Sequence, residues 1–145
     1  LLLGSGHKEI EAELTKIPKV NFNTYIGYDE KLAHIMYAGA DFLLMPSRVE
    51  PCGLNQMYSL RYGTVPVVNA IGGLQDTIID IEKEDGFGIV HNGVTVQKVT
   101  SAITKATMYY TKKEFNKNLK KIMEIDHSWN NSAQEYVNLY KSLKN

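Results

Sequence analysis

Short apolar runs alternate with segments of helical periodicity through roughly the first two thirds of this 145-residue chain. Runs of strand length predict β-strands over residues 1–3, 20–26, 42–46, 65–68 and 88–90. Apolar residues at helical spacing predict helices between them, over residues 7–16, 30–38, 54–62 and 74–81. This alternation is typical of a parallel sheet with helices on both faces, so the predicted fold class is α/β and Rossmann-like.

The pattern becomes purely helical from Thr95 onward, where three successive segments each keep one apolar face. In the third of these segments, Trp129, Tyr136 and Tyr140 share a face, and we expect that face to be packed. Six lysines fall within the first two helical segments, and we expect them to form a solvated surface: Lys105, Lys112, Lys113, Lys117, Lys120 and Lys121.

Composition restricts the class of protein. A chain of this length, 43% apolar, is predicted to form one domain over residues 1–145. A formal net charge of zero gives no electrostatic reason to expect a nucleic acid or a membrane surface as partner. A single cysteine excludes an internal disulfide, and histidines and carboxylates lack the spacing of metal ligands, so we expect no metal site.

The beginning of the chain is predicted to be structural. The run Leu1–Leu3 has no preceding basic segment and is too short for a signal peptide. It is typical of a strand that meets a turn at Gly4–Gly6. Because the chain starts inside a predicted strand and without methionine, we expect it to be a fragment of a longer protein.

The segment Pro46–Met57 carries the most informative chemistry. The apolar run Phe42–Met45, predicted to be buried, breaks there into a loop rich in proline and glycine before an amphipathic segment begins. Parallel-sheet proteins bind ligands outside the carboxyl ends of their strands. Glu50 would place a carboxylate over that crevice, and the amides near Gly53–Asn55, at the start of a helix, would form an anion site.

Each of these residues also has a structural interpretation. Glu50 could cap the following helix. Cys52 could be a small core residue or a thiol activated beside a helix N-terminus. Gly53 could merely permit a turn, and the Gly72-Gly73 pair is as typical of a plain turn as of a phosphate-binding loop. Tyr28 could cover the end of a strand.

Together with residues 38–41 and 61–68, the Pro46–Met57 segment closely resembles the donor-nucleotide half of bacterial glycogen synthases and plant starch synthases, which belong to family 5 of the GT-B glycosyltransferases. Similar landmarks follow in the family's order at residues 72–77, 86–88 and 128–136. The resemblance extends from about Gly27 onward. It implies the C-terminal half of a GT-B enzyme, with an N-terminal acceptor domain and the first strands of this domain lying upstream. It also implies that the face of Trp129, Tyr136 and Tyr140 could instead be surface toward the missing domain.

The resemblance also implies roles for individual residues. Glu50 would be the catalytic-site carboxylate that holds the donor sugar, and Tyr28 would pack on the nucleotide base. The remaining donor-binding residues would be Cys52, Gly53, Leu54, Asn55, Gly72 and Gly73. Asn55 replaces the hydroxyl or apolar residue expected there, and the arginine and lysine that clamp the diphosphate belong to a segment upstream of Leu1.

The implied reaction is transfer of glucose from ADP-glucose, or UDP-glucose, to the non-reducing end of an α-1,4-glucan with retention and without a metal or other cofactor. The position eight residues after Glu50, where a related superfamily of sugar transferases carries a second glutamate, is Tyr58. The chain alone is expected to be inactive, because the acceptor would bind through the missing domain. The expected compartment is the bacterial cytoplasm or the plastid stroma. Alternatives are a GT-B transferase acting on lipopolysaccharide or small glycosides, and a non-catalytic nucleotide-sugar-binding subunit.

Overall fold

The computed structural model describes residues 1–144, whose contacts divide into two compact units, residues 1–40 and residues 41 onward. The prediction of a single domain over residues 1–145 stays a prediction. Each unit is an arrangement of parallel strands and helices in alternation, which confirms the α/β, Rossmann-like fold class.

The first unit contains two parallel strands and two helices. Its elements are β1 (Leu2–Gly4), α1 (Lys8–Lys16), β2 (Thr24–Ile26) and α2 (Glu30–Gly39). Helix α2 begins where Asp29 accepts a hydrogen bond from the Leu32 amide at 2.8 Å, a side-chain cap that stabilises the first turn. The predicted strand over residues 20–26 is too long, because Val20 lies in a turn and is 85% exposed.

The second unit contains a three-stranded parallel sheet in the order β3-β4-β5. Its elements are β3 (Phe42–Met45), α3 (Asn55–Arg61), β4 (Val65–Asn69), α4 (Gly72–Thr77), β5 (Ile89–His91), α5 (Val96–Tyr110), α6 (Lys113–Met123) and α7 (Trp129–Ser142). The central strand β4 is buried along its whole length, as expected for a strand with neighbours on both sides.

The central strand packs on both of its faces. Val67 belongs to a cluster with Ala102 and Ala106 of α5, whereas Val68 belongs to a separate cluster with Leu60 of α3 and Leu74 of α4. Adjacent residues of a strand point to opposite faces, so helices cover the sheet on both sides. This arrangement confirms the predicted layering.

Three further predictions about burial and length are wrong. The run Phe42–Met45 is buried only at Met45, because β3 is the edge strand of this sheet. Helix α4 ends at Thr77 and not at Ile81, because the backbone is extended from Ile78 and Asp80 pairs with Gly88 in a parallel β-bridge. Trp129 is 86% exposed and no described residue of α7 is buried, so the apolar face of that helix is not packed within the described chain.

Candidate functional site

Three loops meet at one edge of the β3-β4-β5 sheet. The strands are parallel and adjacent, with Met45 opposite Val68 and Asn69 opposite His91, so their carboxyl ends lie side by side. The β3–α3 loop, residues 46–54, leaves the sheet at this edge. Most of the residues predicted to bind the donor therefore follow the carboxyl end of β3, as the sequence pattern indicated.

Asn69 connects two of these loops. Its side chain is buried at the end of β4, its Nδ2 donates to the carbonyl of Ser47 at 2.8 Å, and its Oδ1 accepts from the amide of Gly93 at 2.7 Å. The sequence analysis did not single out Asn69. The only sign of it in the sequence is a polar residue that ends the apolar run of β4.

Glu50 is half-buried, and its carboxylate accepts a hydrogen bond from the Ser47 hydroxyl at 3.4 Å. No side chain caps the N-terminus of α3, so the alternative in which Glu50 caps this helix is wrong. One Glu50 oxygen is thus engaged only by a long bond within the loop, and the carboxylate remains partly open to solvent.

The Gly72-Gly73 pair lies against the backbone of the β3–α3 loop. The Gly73 amide donates to the carbonyls of Glu50 and Pro51 at 3.2 and 3.3 Å. A Cβ atom at Gly72 would collide with the Glu50 carbonyl, and one at Gly73 with the Cys52 carbonyl. The pair therefore permits close approach of α4 to the loop, while its predicted contact with a donor stays a prediction.

The other predicted donor-binding residues of this loop are accessible. The Cys52 thiol is free and exposed, so its interpretation as a core residue is wrong. Gly53 has a φ of +75°, a left-handed conformation that favours glycine. Leu54 is exposed, as is Asn55, which begins the seven-residue helix α3.

Gln56 holds the β3–α3 loop from its buried side. The side chain is 0% exposed, and its Nε2 donates to the carbonyls of Cys52 and Gly53 at 3.1 and 2.9 Å and to the Thr77 hydroxyl at 3.2 Å. Sequence reasoning missed Gln56, since nothing in the pattern distinguishes it from any other polar residue of an amphipathic helix.

Tyr28 belongs to the first unit, where it follows β2 and Gly27. Its side chain is 88% exposed. It therefore does not cover the end of the strand, as the structural alternative would require. Its predicted contact with a nucleotide base stays a prediction.

An ionic cluster lies before the amino end of β5. The Lys105 ammonium contacts Asp80 at 2.9 Å and Glu82 at 3.0 Å, so Lys105 is not the freely solvated residue that the sequence predicted. Burial acts to raise the pKa of Asp80, but hydrogen bonds from the Glu82 and Val90 amides and from Lys105 outweigh it and hold that pKa below its ordinary value of 3.8. Burial acts to lower the pKa of Lys105, and its carboxylate partners raise it above 10.5.

Two further observations concern partners. Among residues 1–144, no group of three histidine, cysteine, aspartate or glutamate side chains is arranged to hold a metal ion. Within the same residues, no helix is both long enough and apolar enough to span a bilayer. The expectations that the protein binds no metal and has no membrane partner stay predictions.

The parallel sheet, the helices on both of its faces and the polar loops at its carboxyl edge define an α/β protein of the doubly wound class, whose members bind ligands at that edge. Comparison with known proteins narrows the class. The family model "Glycosyl transferases group 1" matches residues 4–127, and the chain belongs to this family.

Relatives of this chain include bacterial glycogen synthases. The chain is 51% identical to the glycogen synthase of Flavobacterium johnsoniae, and the match covers 99% of this chain and 31% of that protein. It is 43% identical to the glycogen synthase of Treponema denticola, and that match covers 97% of this chain and 30% of that protein. The chain thus spans about a third of the length of these curated relatives.

A solved structure shows the same fold. The catalytic domain of starch synthase IV from Arabidopsis thaliana, bound to ADP and acarbose, superposes with a TM-score of 0.79 at 33% identity, covering 92% of this chain and 29% of that one. The sucrose-phosphate synthase of Thermosynechococcus elongatus matches with a TM-score of 0.71 at 22% identity, which supports the fold alone.

Proposed function

We propose that this chain forms the donor-binding part of a retaining glucosyltransferase of the glycogen and starch synthase type. The enzyme would transfer glucose from ADP-glucose, or UDP-glucose, to the non-reducing end of an α-1,4-glucan, without a metal. The names of the relatives and the ADP bound to the starch synthase domain support the choice of substrates. The cytoplasm of a bacterium or the plastid stroma is the compartment that goes with this proposal.

The β3–α3 loop is the observation that carries the proposal. It combines a partly open carboxylate, Glu50, with two backbone N–H groups, those of Gly53 and Leu54, that donate to no group in the described part of the chain. Unpaired amides on a glycine loop bind phosphate oxygens. A carboxylate three residues before them suits the hydroxyls of a sugar attached to that phosphate.

The same geometry suggests how the residues act. The Gly53 and Leu54 amides would bind the diphosphate and stabilise the negative charge that develops as it leaves. Glu50 would hold sugar hydroxyls and face the positive charge that develops on the sugar ring. No second carboxylate lies on the β3–α3 loop, so leaving-group stabilisation and positioning carry the chemistry in this proposal.

Two measurements test the proposal. Titration of the isotope-labelled chain with ADP should shift the amide resonances of Gly53 and Leu54. In the full-length protein, Glu50→Gln should lower turnover by about a hundredfold or more while ADP affinity changes little, because the neutral amide no longer faces the developing cation with a charge.

Glu84→Gln is the matched control, since Glu84 is an exposed carboxylate on the loop before β5. It should leave turnover unchanged. Near-normal turnover of Glu50→Gln, or ADP-induced shifts confined to the lysines of α6, would contradict the proposed function.

A further inference from the structure

The Gln56 carboxamide is a buried group with one orientation. Three acceptors surround its Nε2: the carbonyls of Cys52 and Gly53 and the hydroxyl of Thr77. Exchange of the amide nitrogen and oxygen would place Oε1 against two carbonyl oxygens, so the network fixes which end is the donor. Oε1 itself has no partner among the described residues, which means that Gln56 acts here only as a donor.

The two carbonyls that Gln56 holds determine where the next amides point. In a trans peptide the C=O of one residue and the N–H of the next lie in one plane and point in opposite directions. No cis peptide occurs in the described residues. Because the carbonyls of Cys52 and Gly53 point inward to the buried Nε2, the N–H groups of Gly53 and Leu54 point away from it.

We propose that Gln56 is a positioning residue, which sets the Gly53 and Leu54 amides for a nucleoside diphosphate by holding the preceding carbonyls. This inference rests on the proposed function, since it concerns the same donor site. Gln56 does not touch the ligand in this proposal. It acts through two peptide planes.

The connection to Thr77 extends this support to α4. The Thr77 hydroxyl accepts from Gln56 and donates to the Gly73 carbonyl at 2.5 Å, and the Gly73 amide in turn holds the carbonyls of Glu50 and Pro51. The carboxylate end and the amide end of the loop are therefore held by one hydrogen-bonded chain. A change at Gln56 should disturb the Gly53 and Leu54 amides more than Glu50, because Gln56 bonds directly to the carbonyls that precede those amides.

Two substitutions separate positioning from packing. Gln56→Met keeps the length of the side chain but cannot donate to a carbonyl. Gln56→Glu keeps the shape and can donate one hydrogen bond only when protonated, and burial raises the pKa of a carboxyl group. Asn118→Leu is the matched control, because Asn118 is also a buried carboxamide that donates to a backbone carbonyl, that of Phe87 at 3.0 Å, but lies on α6.

The experiment measures ADP affinity, the KM of the glucan acceptor and the melting temperature of each variant in the full-length protein. Gln56→Met should weaken ADP binding by about tenfold or more, with the acceptor KM unchanged, because two phosphate-binding amides lose their orientation. Gln56→Met and Asn118→Leu should lower the melting temperature by similar amounts, because each removes a buried hydrogen-bond donor. Asn118→Leu should nevertheless leave ADP affinity within about twofold of wild type. The affinity of Gln56→Glu, relative to wild type at each pH, should recover as the pH falls from about 8 to about 6.

Each outcome either supports or overturns the positioning role of Gln56. If Gln56→Met and Asn118→Leu change ADP affinity equally, or if Gln56→Met binds ADP like wild type, Gln56 has only a structural role and the inference is wrong. If Gln56→Met does not fold, the pH series of Gln56→Glu decides, and a flat ratio to wild type overturns the inference. Absence of ADP binding by the wild type would overturn the proposed function itself.

Discussion

Substitution of Gly73 by alanine tests how closely α4 must approach the β3–α3 loop. Gly73 is buried in the first turn of α4, where alanine would ordinarily be favoured over glycine by about 1 kcal/mol. Here the added Cβ would collide with the carbonyl of Cys52, a backbone atom that no rotamer change can move. Helix and loop must therefore separate.

The cost follows from the contacts that separation breaks. Overpacking of a tight contact costs about 1–3 kcal/mol, and the bond from the Gly73 amide to the loop carbonyls contributes about 1 kcal/mol. After the gain in helix propensity, we expect a net destabilisation of about 1–3 kcal/mol. For a chain of 145 residues this corresponds to a melting temperature lower by roughly 3–10 °C.

Thermal unfolding and ADP titration of Gly73→Ala measure both consequences. ADP binding should weaken together with stability, because the displaced loop carries the proposed donor site. Gly39→Ala is the control: Gly39 lies in the last turn of α2, and no atom lies within 4 Å of its added Cβ. Its melting temperature should equal or exceed that of the wild type. A melting temperature of Gly73→Ala at or above wild type, with unchanged ADP affinity, would refute the argument from close approach.

Two further predictions concern the ionic cluster and the chain as a whole. Asp80→Asn should destabilise the protein by about 2 kcal/mol at neutral pH, because Asp80 accepts from two amides and from Lys105. The depressed pKa of Asp80 means that its contribution is present above its unfolded value near 3.8 and is lost as the pH falls through the lower folded value. The raised pKa of Lys105 means that its contribution is lost only as the pH rises through a value above 10.5. Urea unfolding across the acid range should therefore show a larger fall in stability for wild type than for Asp80→Asn, and parallel curves would contradict this. The 145-residue chain alone should transfer no labelled glucose from ADP-glucose to glycogen, and transfer at the rate of a full-length synthase would contradict the proposed division of the site.

The sequence predicted the fold well where one physical effect dominates. Strand β4 is apolar along its length because both of its faces are covered, and the helical periodicity after Thr95 correctly predicted the three helices α5, α6 and α7. The prediction failed at Val20, which is apolar but lies in an exposed turn before β2. It failed at Ile78–Asp80, because pairing of Asp80 with Gly88 is a long-range contact that no local periodicity reveals.

The candidate site was predictable in part for a similar reason. The position of Glu50 and Gly53 at the carboxyl edge of the sheet could be predicted because the loop after a strand has a known place in a parallel sheet, whereas their contact with a donor stays a prediction. Gln56 and Asn69 could not, because a polar side chain within an apolar pattern gains its role only when folding brings distant carbonyls to it. Ser47 lies 22 residues from Asn69, and Thr77 lies 21 residues from Gln56.

The β3–α3 loop is held almost entirely through its backbone. Asn69 engages the carbonyl of Ser47, the Gly73 amide engages those of Glu50 and Pro51, and Gln56 engages those of Cys52 and Gly53. Because these bonds involve backbone carbonyls, they hold the loop without using its side chains, most of which are exposed. In the proposed donor site, Asn55 would then alter contacts to a donor without disturbing the backbone that presents Glu50 and the two amides.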